Sequence, residues 1–245
     1  MLPLRFYKPP SNKWLGHTHT FTQKELNTMK VLFIGDPNLG DQGLEIVRRY
    51  YADVTAINYI KGNESSKQQA QAVIRKDRSK KWDLVVSFYS DLVLEDEDLL
   101  YMHVVFNIHP GAPHVPGMGY DTVPLLESHE YHEVTAHFIP DRRIDAGTII
   151  AVEGQPLALT TTYAQLRRAN QSLCLMLLVR MMEMVKECTD HCAVRDLYEA
   201  AAHNLRRYWS GRKLKTASVS QMLEELFQKD PAHRVFVGHP KFGKK

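Results

Sequence analysis

The sequence predicts an α/β domain in which helices flank a mainly parallel central sheet. Short apolar runs alternate with segments of helical spacing, an order typical of a parallel sheet. The first run, Lys30–Gly35, is apolar from Val31 to Ile34 and ends at a glycine, as expected for a buried strand. With 245 residues, of which 44% are hydrophobic and 24% charged, the chain can form one large domain with a sizeable core.

The remaining elements follow from the same patterns. The first half is predicted to continue with helix Gly43–Tyr50, strand Ala52–Tyr59, helix Lys67–Lys81, strand Trp82–Phe88, a short acidic helix Leu92–Leu100 and strand His103–Ile108. Later come strands Glu133–Ile139 and Gly147–Val152 and a long helix, Thr162–Val185. Ligands of such sheets bind beyond the carboxyl ends of the strands. The residues that end the fourth strand are therefore candidates for a functional site.

Two extensions flank the predicted main domain, residues 29–190. Residues 1–28 are rich in Pro, Lys, Asn and Thr and are predicted to be an N-terminal extension. Residues 191–245 are predicted to be a helical, basic C-terminal extension, with a cluster of charge at Arg206, Arg207, Arg212, Lys213 and Lys215. That cluster could bind phosphates. Clustered charge is usually exposed, so a solvated tail is the favoured interpretation.

Composition argues against several functional classes. A net charge of +3 is too small to indicate a nucleic-acid partner. The three cysteines, Cys174, Cys188 and Cys192, form no disulfide framework, which fits a reducing, cytoplasmic location. His191 lies between two of them, but no second ligand pair is near, so we predict no metal site. The sequence shows no secretory signal pattern and no apolar run long enough to span a membrane.

The glycines that follow the first strand allow two interpretations. Their spacing, Gly35, Gly40 and Gly43, does not match the dinucleotide or P-loop patterns. A tight turn is the favoured interpretation. A phosphate at the start of the next helix is the alternative.

Asn107, His109 and Asp145 are the candidates for chemistry. Asn107 and His109 are two residues apart at the end of a strand, so their side chains point the same way. Asp145 is predicted in a turn ahead of a β-type run. With no serine or cysteine nucleophile nearby, these residue types indicate oxyanion stabilisation and general base catalysis. Taken singly, each is also an ordinary turn or capping residue.

The combined pattern resembles the folate-dependent formyltransferase family. The residues that carry this resemblance are Asn107-Ile108-His109-Pro110, Pro116-Gly117-Met118-Gly119, His137-Phe138 and Asp145-Ala146-Gly147. It covers roughly residues 29–156 and implies a Rossmann-like formyltransferase fold. It also implies 10-formyltetrahydrofolate as cosubstrate, with no metal. The main domain would then be the catalytic domain.

The resemblance implies a role for each candidate. Asn107 would donate a hydrogen bond to the developing oxyanion, His109 would stabilise charge and relay a proton, and Asp145 would hold a water or the histidine. His137 would be either a supporting group or a buried structural histidine. The folate pocket would be lined, largely through the main chain, by Phe88, Tyr89, Ser90, Asp91, Leu92, Ile139, Pro140, Asp141 and Ile144.

The acceptor amine is predicted less directly. Small residues at Gly111, Gly117 and Gly119 would leave room for a large acceptor, which Tyr120 and Asp121 could contact; the alternative is a Gly-Pro turn without a ligand. The pattern is most similar to that of nucleotide-sugar N-formyltransferases. An example is the enzyme acting on GDP-perosamine, and such enzymes serve surface-polysaccharide (O-antigen, lipopolysaccharide) synthesis.

Other functions stay open at this point. A formyltransferase could act on hydroxyornithine, methionyl-tRNA or glycinamide ribonucleotide, or water could be the acceptor. A non-catalytic folate or nucleotide binder, or an RNA-binding adaptor using the basic tail, would be a different class. The apolar helix Leu173–Val185 could support a homodimer, although core packing is the commoner fate of such a face.

Overall fold

A six-stranded sheet forms the centre of the molecule, which a computed structural model describes over residues 27–76, 79–211 and 213–242. In chain order the strands are β1 (Asn27–Gly35), β2 (Tyr51–Asn58), β3 (Trp82–Phe88), β4 (Met102–His109), β5 (Tyr131–Phe138) and β6 (Ile149–Pro156). In space the order is β2-β1-β3-β4-β5-β6. The predicted N-terminal extension lies outside the described residues, apart from residues 27 and 28, which begin β1.

The sheet is parallel in one part and antiparallel in the other. Strands β2, β1, β3 and β4 are parallel to one another, while β5 runs antiparallel to β4 and β6 antiparallel to β5. The predicted α/β fold with a mainly parallel sheet is thus confirmed. The antiparallel hairpin at one side brings β5 directly beside the carboxyl end of β4.

Seven α-helices and one 3-10 helix surround the described part of the sheet. They are α1 (Gly40–Arg48), α2 (Glu64–Ile74), α3 (Asp96–Leu99), α4 (Val123–Leu126), α5 (Tyr163–Val185), α6 (His191–Leu205), α7 (Thr216–Lys229) and the 3-10 helix Arg234–Phe236. Helix α2 begins earlier than predicted because Asn63 caps it by accepting from the Ser66 N–H. The acidic helix predicted over Leu92–Leu100 is shorter in the structure, because a capping box at Glu95 makes α3 begin at Asp96.

Alternate residues of the strands face two separate cores. Val31 and Phe33 of β1 pack with α1, α5 and α6 on one side, while Leu32 and Ile34 pack with α2 on the other. Helix α5, whose predicted span is nearly matched, buries its apolar face in the first core. The apolar face that could have supported a dimer is thus largely used within the chain.

The C-terminal extension folds onto the rest of the molecule. Helix α6 packs against β4 and β6. A third apolar cluster joins Val219 and Leu223 of α7 to Leu125, Leu166 and Phe236. The boundary between a catalytic domain and an extension at residue 190 stays a prediction, since α6 belongs to the first core.

Candidate active site

Asn107 and His109 lie at the carboxyl end of β4, where the sequence predicted a site. Asn107 pairs with Ser87 of β3 and with His137 of β5, and His109 pairs with Thr135. The turn that follows β4 is fixed by two side chains. The Asn170 amide donates to the Pro110 carbonyl at 2.7 Å, and the Thr135 hydroxyl donates to the Gly111 carbonyl at 2.7 Å.

Asp145 lies in the loop between β5 and β6 and reaches both histidines of the site. One carboxylate oxygen is 3.5 Å from Nδ1 of His109, and the other is 3.5 Å from Nε2 of His137. The Gly117 N–H also donates to this carboxylate at 2.6 Å. The structure therefore brings Asp145 together with His109, as expected, and adds His137 as a second partner.

Two of the four non-glycine residues with positive φ in the described part of the chain border this site. Asp145 has φ of 45° and Tyr89, which follows β3, has φ of 53°. Left-handed conformations are uncommon for residues other than glycine, and each costs about 1–3 kcal/mol. Such strain is often found where a site requires a particular side-chain direction.

Backbone carbonyls determine which ring nitrogens carry a proton. Nδ1 of His137 is 2.8 Å from the Phe138 carbonyl, and Nε2 of His109 is 3.0 Å from the Val115 carbonyl. A carbonyl oxygen can only accept, so both of these nitrogens are donors. The nitrogens that face Asp145 are consequently the ones free to gain or lose a proton.

His137 also contacts Asn107. The amide nitrogen of Asn107 is 3.2 Å from Nε2 of His137. In the neutral ring this nitrogen accepts from the amide, and in the protonated ring it faces the Asp145 carboxylate instead. His137 is 3% exposed and both of its ring nitrogens have partners, so the supporting and the structural interpretations both stay predictions.

The charges of the site are set by burial and by these contacts. Burial lowers the pKa of His109, although Asp145 acts in the opposite direction, so the ring is neutral at pH 7. Burial alone would raise the pKa of Asp145. The His109 ring, the hydrogen bond with His137 and the Gly117 N–H instead lower that pKa to about 2. The result is an ionised carboxylate beside the neutral His109 ring, whose Nδ1 is able to take a proton.

A narrow cleft opens on one side of Asn107, with a volume of about 90 Å³. Its walls are apolar at Leu92, Ile139 and Ile144, and Asn107 and His137 lie at its inner end. Six of the nine predicted folate residues line it: Ser90, Asp91, Leu92, Ile139, Asp141 and Ile144.

A wider cavity of about 640 Å³ opens on the other side. His109, Tyr89 and Tyr120 line it, together with three lysines, Lys61, Lys213 and Lys215. Both this wider cavity and the narrow cleft are bordered by Asn107, Asp145, Ser90, Asp91 and Ile144. The volume is in the range of small-molecule sites.

Four of the predicted binding residues do not line the cavity expected for them. Phe88 is fully buried in the core, and Pro140, which is exposed, lines neither cavity. Asp121 accepts from the Tyr163 hydroxyl at 2.9 Å and also lines neither. Tyr89, predicted for the folate pocket, lines the wider cavity only. A binding role for these residues stays a prediction.

The glycines of the loop after β4 make room for the protein itself. A Cβ at Gly111 would lie 2.6 Å from Nε2 of His109, and one at Gly119 would lie 2.9 Å from Val123. Gly117 does line the wider cavity, but a Cβ there would lie 2.6 Å from the Leu214 carbonyl oxygen. At Gly111 the space beside the glycine is thus taken by the His109 ring, and a role of these glycines in binding an acceptor stays a prediction.

Sequence reasoning missed the contribution of residues 206–216, here named the C-terminal segment. We expected a solvated tail, but this segment packs alongside the loop after β4. Leu214 exchanges backbone hydrogen bonds with Pro116 and Met118, and the Lys213 ammonium donates to the Ile144 carbonyl. Arg207 pairs with Glu133 at 2.6 Å, whereas Arg212 lies outside the described residues. The basic residues gave a signal, but nothing local indicated where they would dock.

The other motifs of the sequence lie away from this chemistry. Asp36 accepts from the Leu39 and Gly40 N–H groups at the start of α1, so those amides are already bonded, which supports the tight turn over a phosphate loop. A Cβ at Gly43 would lie 2.6 Å from Phe88, so this glycine serves close helix–strand packing.

Two further expectations concern metals and membranes. One group of potential metal ligands occurs among the described residues: Asp83, His103 and His191. The two rings stack at 3.7 Å, and Asp83 is 3.4 Å from His191. It lies at the amino ends of β3 and β4, remote from Asn107. Within the described ranges, no helix combines the length and apolar character needed to cross a bilayer.

Solved structures share this fold. An N-formyltransferase from Helicobacter canadensis matches with a TM-score of 0.55 and 20% identity, over 66% of this chain and 66% of that one. WlaRD, a sugar 3N-formyl transferase, matches with a TM-score of 0.53 and 19% identity, over 66% and 65%. A formyltetrahydrofolate deformylase from Pseudomonas syringae matches with a TM-score of 0.53 and 16% identity, over 65% and 62%.

These similarities establish the formyltransferase fold, which the sequence resemblance implied. The match spans just under two thirds of the length of each of these relatives. No family model and no curated protein matches the sequence. A functional proposal for this chain must therefore rest on the residues around Asn107.

Proposed function

We propose that this protein transfers a formyl group from 10-formyltetrahydrofolate to the amine of a nucleotide-linked amino sugar. The observation that carries this proposal is the position of Asp145 between two imidazoles, at the point where the narrow cleft meets the wider cavity. A transferase needs two substrates to meet at a group that can stabilise charge and move a proton. Asn107 and Asp145 border both spaces.

The narrow cleft suits the folate donor. Leu92, Ile139 and Ile144 provide apolar walls for a flat heterocycle, and Ser90 and Asp141 lie where its polar edge would need partners. The Helicobacter canadensis relative was crystallised with folinic acid and dTDP-3-aminofucose, so a protein of this fold accommodates one ligand of each proposed kind.

The residues at the junction can perform the transfer. The donor supplies a formyl carbon whose oxygen gains negative charge as an amine adds. The half-buried amide of Asn107 can donate to that oxygen, an effect worth about 10²–10³ in rate when such a donor is removed. Because the site is largely shielded from water, this hydrogen bond is stronger than it would be in solution.

The two histidines have different parts in the transfer. His109 lines the wider cavity, here named the acceptor-side cavity because it would hold the acceptor, so its Nδ1 takes the proton of the incoming amine. As the carbon–nitrogen bond of the donor breaks, His109 gives this proton to the leaving nitrogen, while Nε2 of His137 accepts from the Asn107 amide beside the narrow cleft. Asp145 contacts Nδ1 of His109 and stabilises the charged ring, while its own low pKa keeps it ionised.

The lysines of the acceptor-side cavity favour a phosphorylated acceptor. Lys213 and Lys215 approach this cavity from the C-terminal segment and Lys61 from the loop after β2. Lys61 is paired with Asp91 at 3.1 Å, which leaves the other two as the main source of positive charge. Ammonium groups at a partly enclosed surface attract phosphate, and a diphosphate bridge would extend from the amine towards them.

The proposal is tested by a mass-spectrometric turnover assay. The purified protein receives 10-formyltetrahydrofolate and, separately, GDP- and TDP-linked amino sugars, glycinamide ribonucleotide, hydroxyornithine and methionyl-tRNA. We expect a mass gain of one formyl group on a nucleotide-linked sugar. Asn107→Ala should lower kcat by about 10²–10³-fold because the oxyanion loses its donor.

A second variant makes the assay specific. Asn204→Ala changes the same residue type on an exposed position of α6 and should leave turnover unchanged. Formylation of a different amine from the panel would overturn the assignment of the acceptor. No formylation of any amine, or turnover in Asn107→Ala equal to that of the wild type, would overturn the transferase assignment and favour a binding protein.

A further inference from the structure

The C-terminal segment closes the site from the side opposite β4. Its backbone is bonded to the loop after β4 at Ser210, whose N–H donates to the Pro113 carbonyl at 2.9 Å, and at Leu214. Gly211 has φ of +78°, and a Cβ there would lie 2.3 Å from the His114 carbonyl oxygen. The segment therefore follows one fixed path past the catalytic groups.

Trp209 is the residue of this segment that touches the histidines. Its ring centre is 5.0 Å from that of His137 at an interplanar angle of 85°, and 5.7 Å from that of His109 at 69°. Both contacts have the edge-to-face geometry that aromatic rings favour. The indole N–H donates to the Gly147 carbonyl at 2.7 Å, two residues after Asp145.

We propose that Trp209 is a positioning residue that holds the rings of His109 and His137 against Asp145 and excludes water from them. This inference rests on the proposed function in one respect only, the parts of these histidines in formyl transfer. Trp209 lines neither cavity, so it acts through the histidines and not on a substrate.

Hydrogen bonds alone do not fix the two rings against Asp145. His109 is bonded to the Val115 carbonyl through Nε2, and His137 is bonded to the Phe138 carbonyl and, at 3.2 Å, to the Asn107 amide. The 3.5 Å distances from both rings to Asp145 are longer than strong hydrogen bonds, so each ring can still tilt away from the carboxylate. The large indole, itself fixed through Gly147 to the Asp145 loop, restricts that tilt for both rings at once.

Exclusion of water has a consequence for titration. Burial is the main cause of the lowered pKa of His109, and half-buried Trp209 covers one side of that ring. The other groups that face His109 are Asp145, His137, Lys213 and His132, with Tyr120 against its ring. Trp209 carries no charge, so its replacement removes none of these charges, and a shift of the His109 titration reports the hydration and the position of the ring.

The test compares Trp209→Ala and Trp209→Phe with a control, Tyr208→Ala. Tyr208 is the adjacent aromatic residue and is 78% exposed. Histidine titrations by nuclear magnetic resonance are recorded with no substrate present, and the pH profile of kcat is recorded with both substrates. For Trp209→Ala we expect the His109 titration and the acid limb of kcat to move to higher pH by at least half a unit. We also expect kcat at pH 7 to fall about tenfold, with both KM values within twofold of wild type.

Trp209→Phe keeps a ring without the indole N–H and should lie between wild type and Trp209→Ala. Tyr208→Ala should titrate as wild type does. A His109 titration in Trp209→Ala unchanged from wild type would overturn the proposal, as would an equal shift in Tyr208→Ala. If neither the wild type nor any variant transfers formyl groups, the proposed function fails. The titrations still test whether Trp209 positions the two histidine rings.

Discussion

The two cavities that meet at Asn107 are built in different ways. The narrow cleft is formed by the ends of β3 and β4 and by the loop between β5 and β6, all within the α/β sheet. The wider cavity takes a large share of its wall from residues 213–216, more than a hundred positions away from Asn107 in the chain. The sheet and its loops thus form the narrow cleft, whereas the C-terminal segment completes the wall of the wider cavity.

This difference bears on the choice of the proposed acceptor. A formyltetrahydrofolate deformylase from Pseudomonas syringae and sugar N-formyltransferases share the fold of this chain. If the donor side is set by the sheet, specificity for the amine resides in segments added to it. Lys213 and Lys215 would then be the residues of this chain that select the acceptor.

The largest expected effect comes from a change that affects both sides at once. Asp145→Asn keeps the shape of the side chain but removes the charge between His109 and His137. We expect kcat to fall about 10²–10³-fold at pH 7, within the range for loss of general acid–base catalysis. Steady-state kinetics with saturating donor and acceptor measures this loss. A variant with more than a tenth of wild-type kcat would contradict a shared role for Asp145.

The same variant makes a prediction for stability. Because the pKa of Asp145 is lowered from 3.8 to about 2, its carboxylate stabilises the folded state above pH 4, and this contribution is lost as the pH falls through about 2. Wild type should exceed Asp145→Asn by about 2 kcal/mol in unfolding free energy at pH 7, and by much less near pH 2.5. Urea denaturation at several pH values measures the difference.

A smaller effect should be confined to the acceptor side. Gly117 has φ of +79°, and a Cβ there would lie 2.6 Å from the Leu214 carbonyl oxygen, so Gly117→Ala separates the loop after β4 from the C-terminal segment. We expect the acceptor KM to rise about five- to tenfold, with the donor KM within twofold. The measurement is the two KM values under matched conditions.

Gly62→Ala provides the control for backbone strain. Gly62 has φ of +74° and no atom within 4 Å of an added Cβ, so this variant introduces strain without a clash. It should lose about 1 kcal/mol of stability and keep both KM values. An equal rise of donor and acceptor KM in Gly117→Ala would contradict the division between the two sides.

The smallest effect is expected for a single charge. Lys215→Ala should raise the KM for a phosphorylated acceptor about three- to fivefold, and added salt should reduce the difference. Lys229 lies at the other end of α7 and is exposed, so Lys229→Ala is the matched control. Equal KM values for Lys215→Ala and wild type at low salt would contradict the proposal that Lys215 attracts a phosphorylated acceptor.

The sequence predicted most of the sheet and the centre of the site, because both are encoded locally. The apolar runs placed β1 to β4 within a few residues of their observed bounds, and the two-residue spacing put Asn107 and His109 at the end of β4. Asp145 could be chosen only through the family resemblance, since an aspartate before Ala-Gly has no distinctive local pattern.

The rest of the site depends on contacts that no local pattern encodes. The Trp209 indole donates to the carbonyl of Gly147, 62 residues away in the sequence, and Lys213 donates to that of Ile144, 69 residues away. The expectation that Gly111 and Gly119 leave room for an acceptor stays a prediction, because a glycine signals close approach without saying what approaches. Here His109 and Val123 occupy the space beside them.

The most direct test of the central claim measures how formyl donor consumption depends on the acceptor. Tetrahydrofolate formation is followed with 10-formyltetrahydrofolate alone and then with a GDP- or TDP-linked amino sugar, and the N-formyl product is quantified in the same samples. We predict one N-formyl sugar for each tetrahydrofolate formed, and we predict that turnover requires the amine. Tetrahydrofolate formed at the same rate without the amine would show that water is the acceptor and would contradict the account.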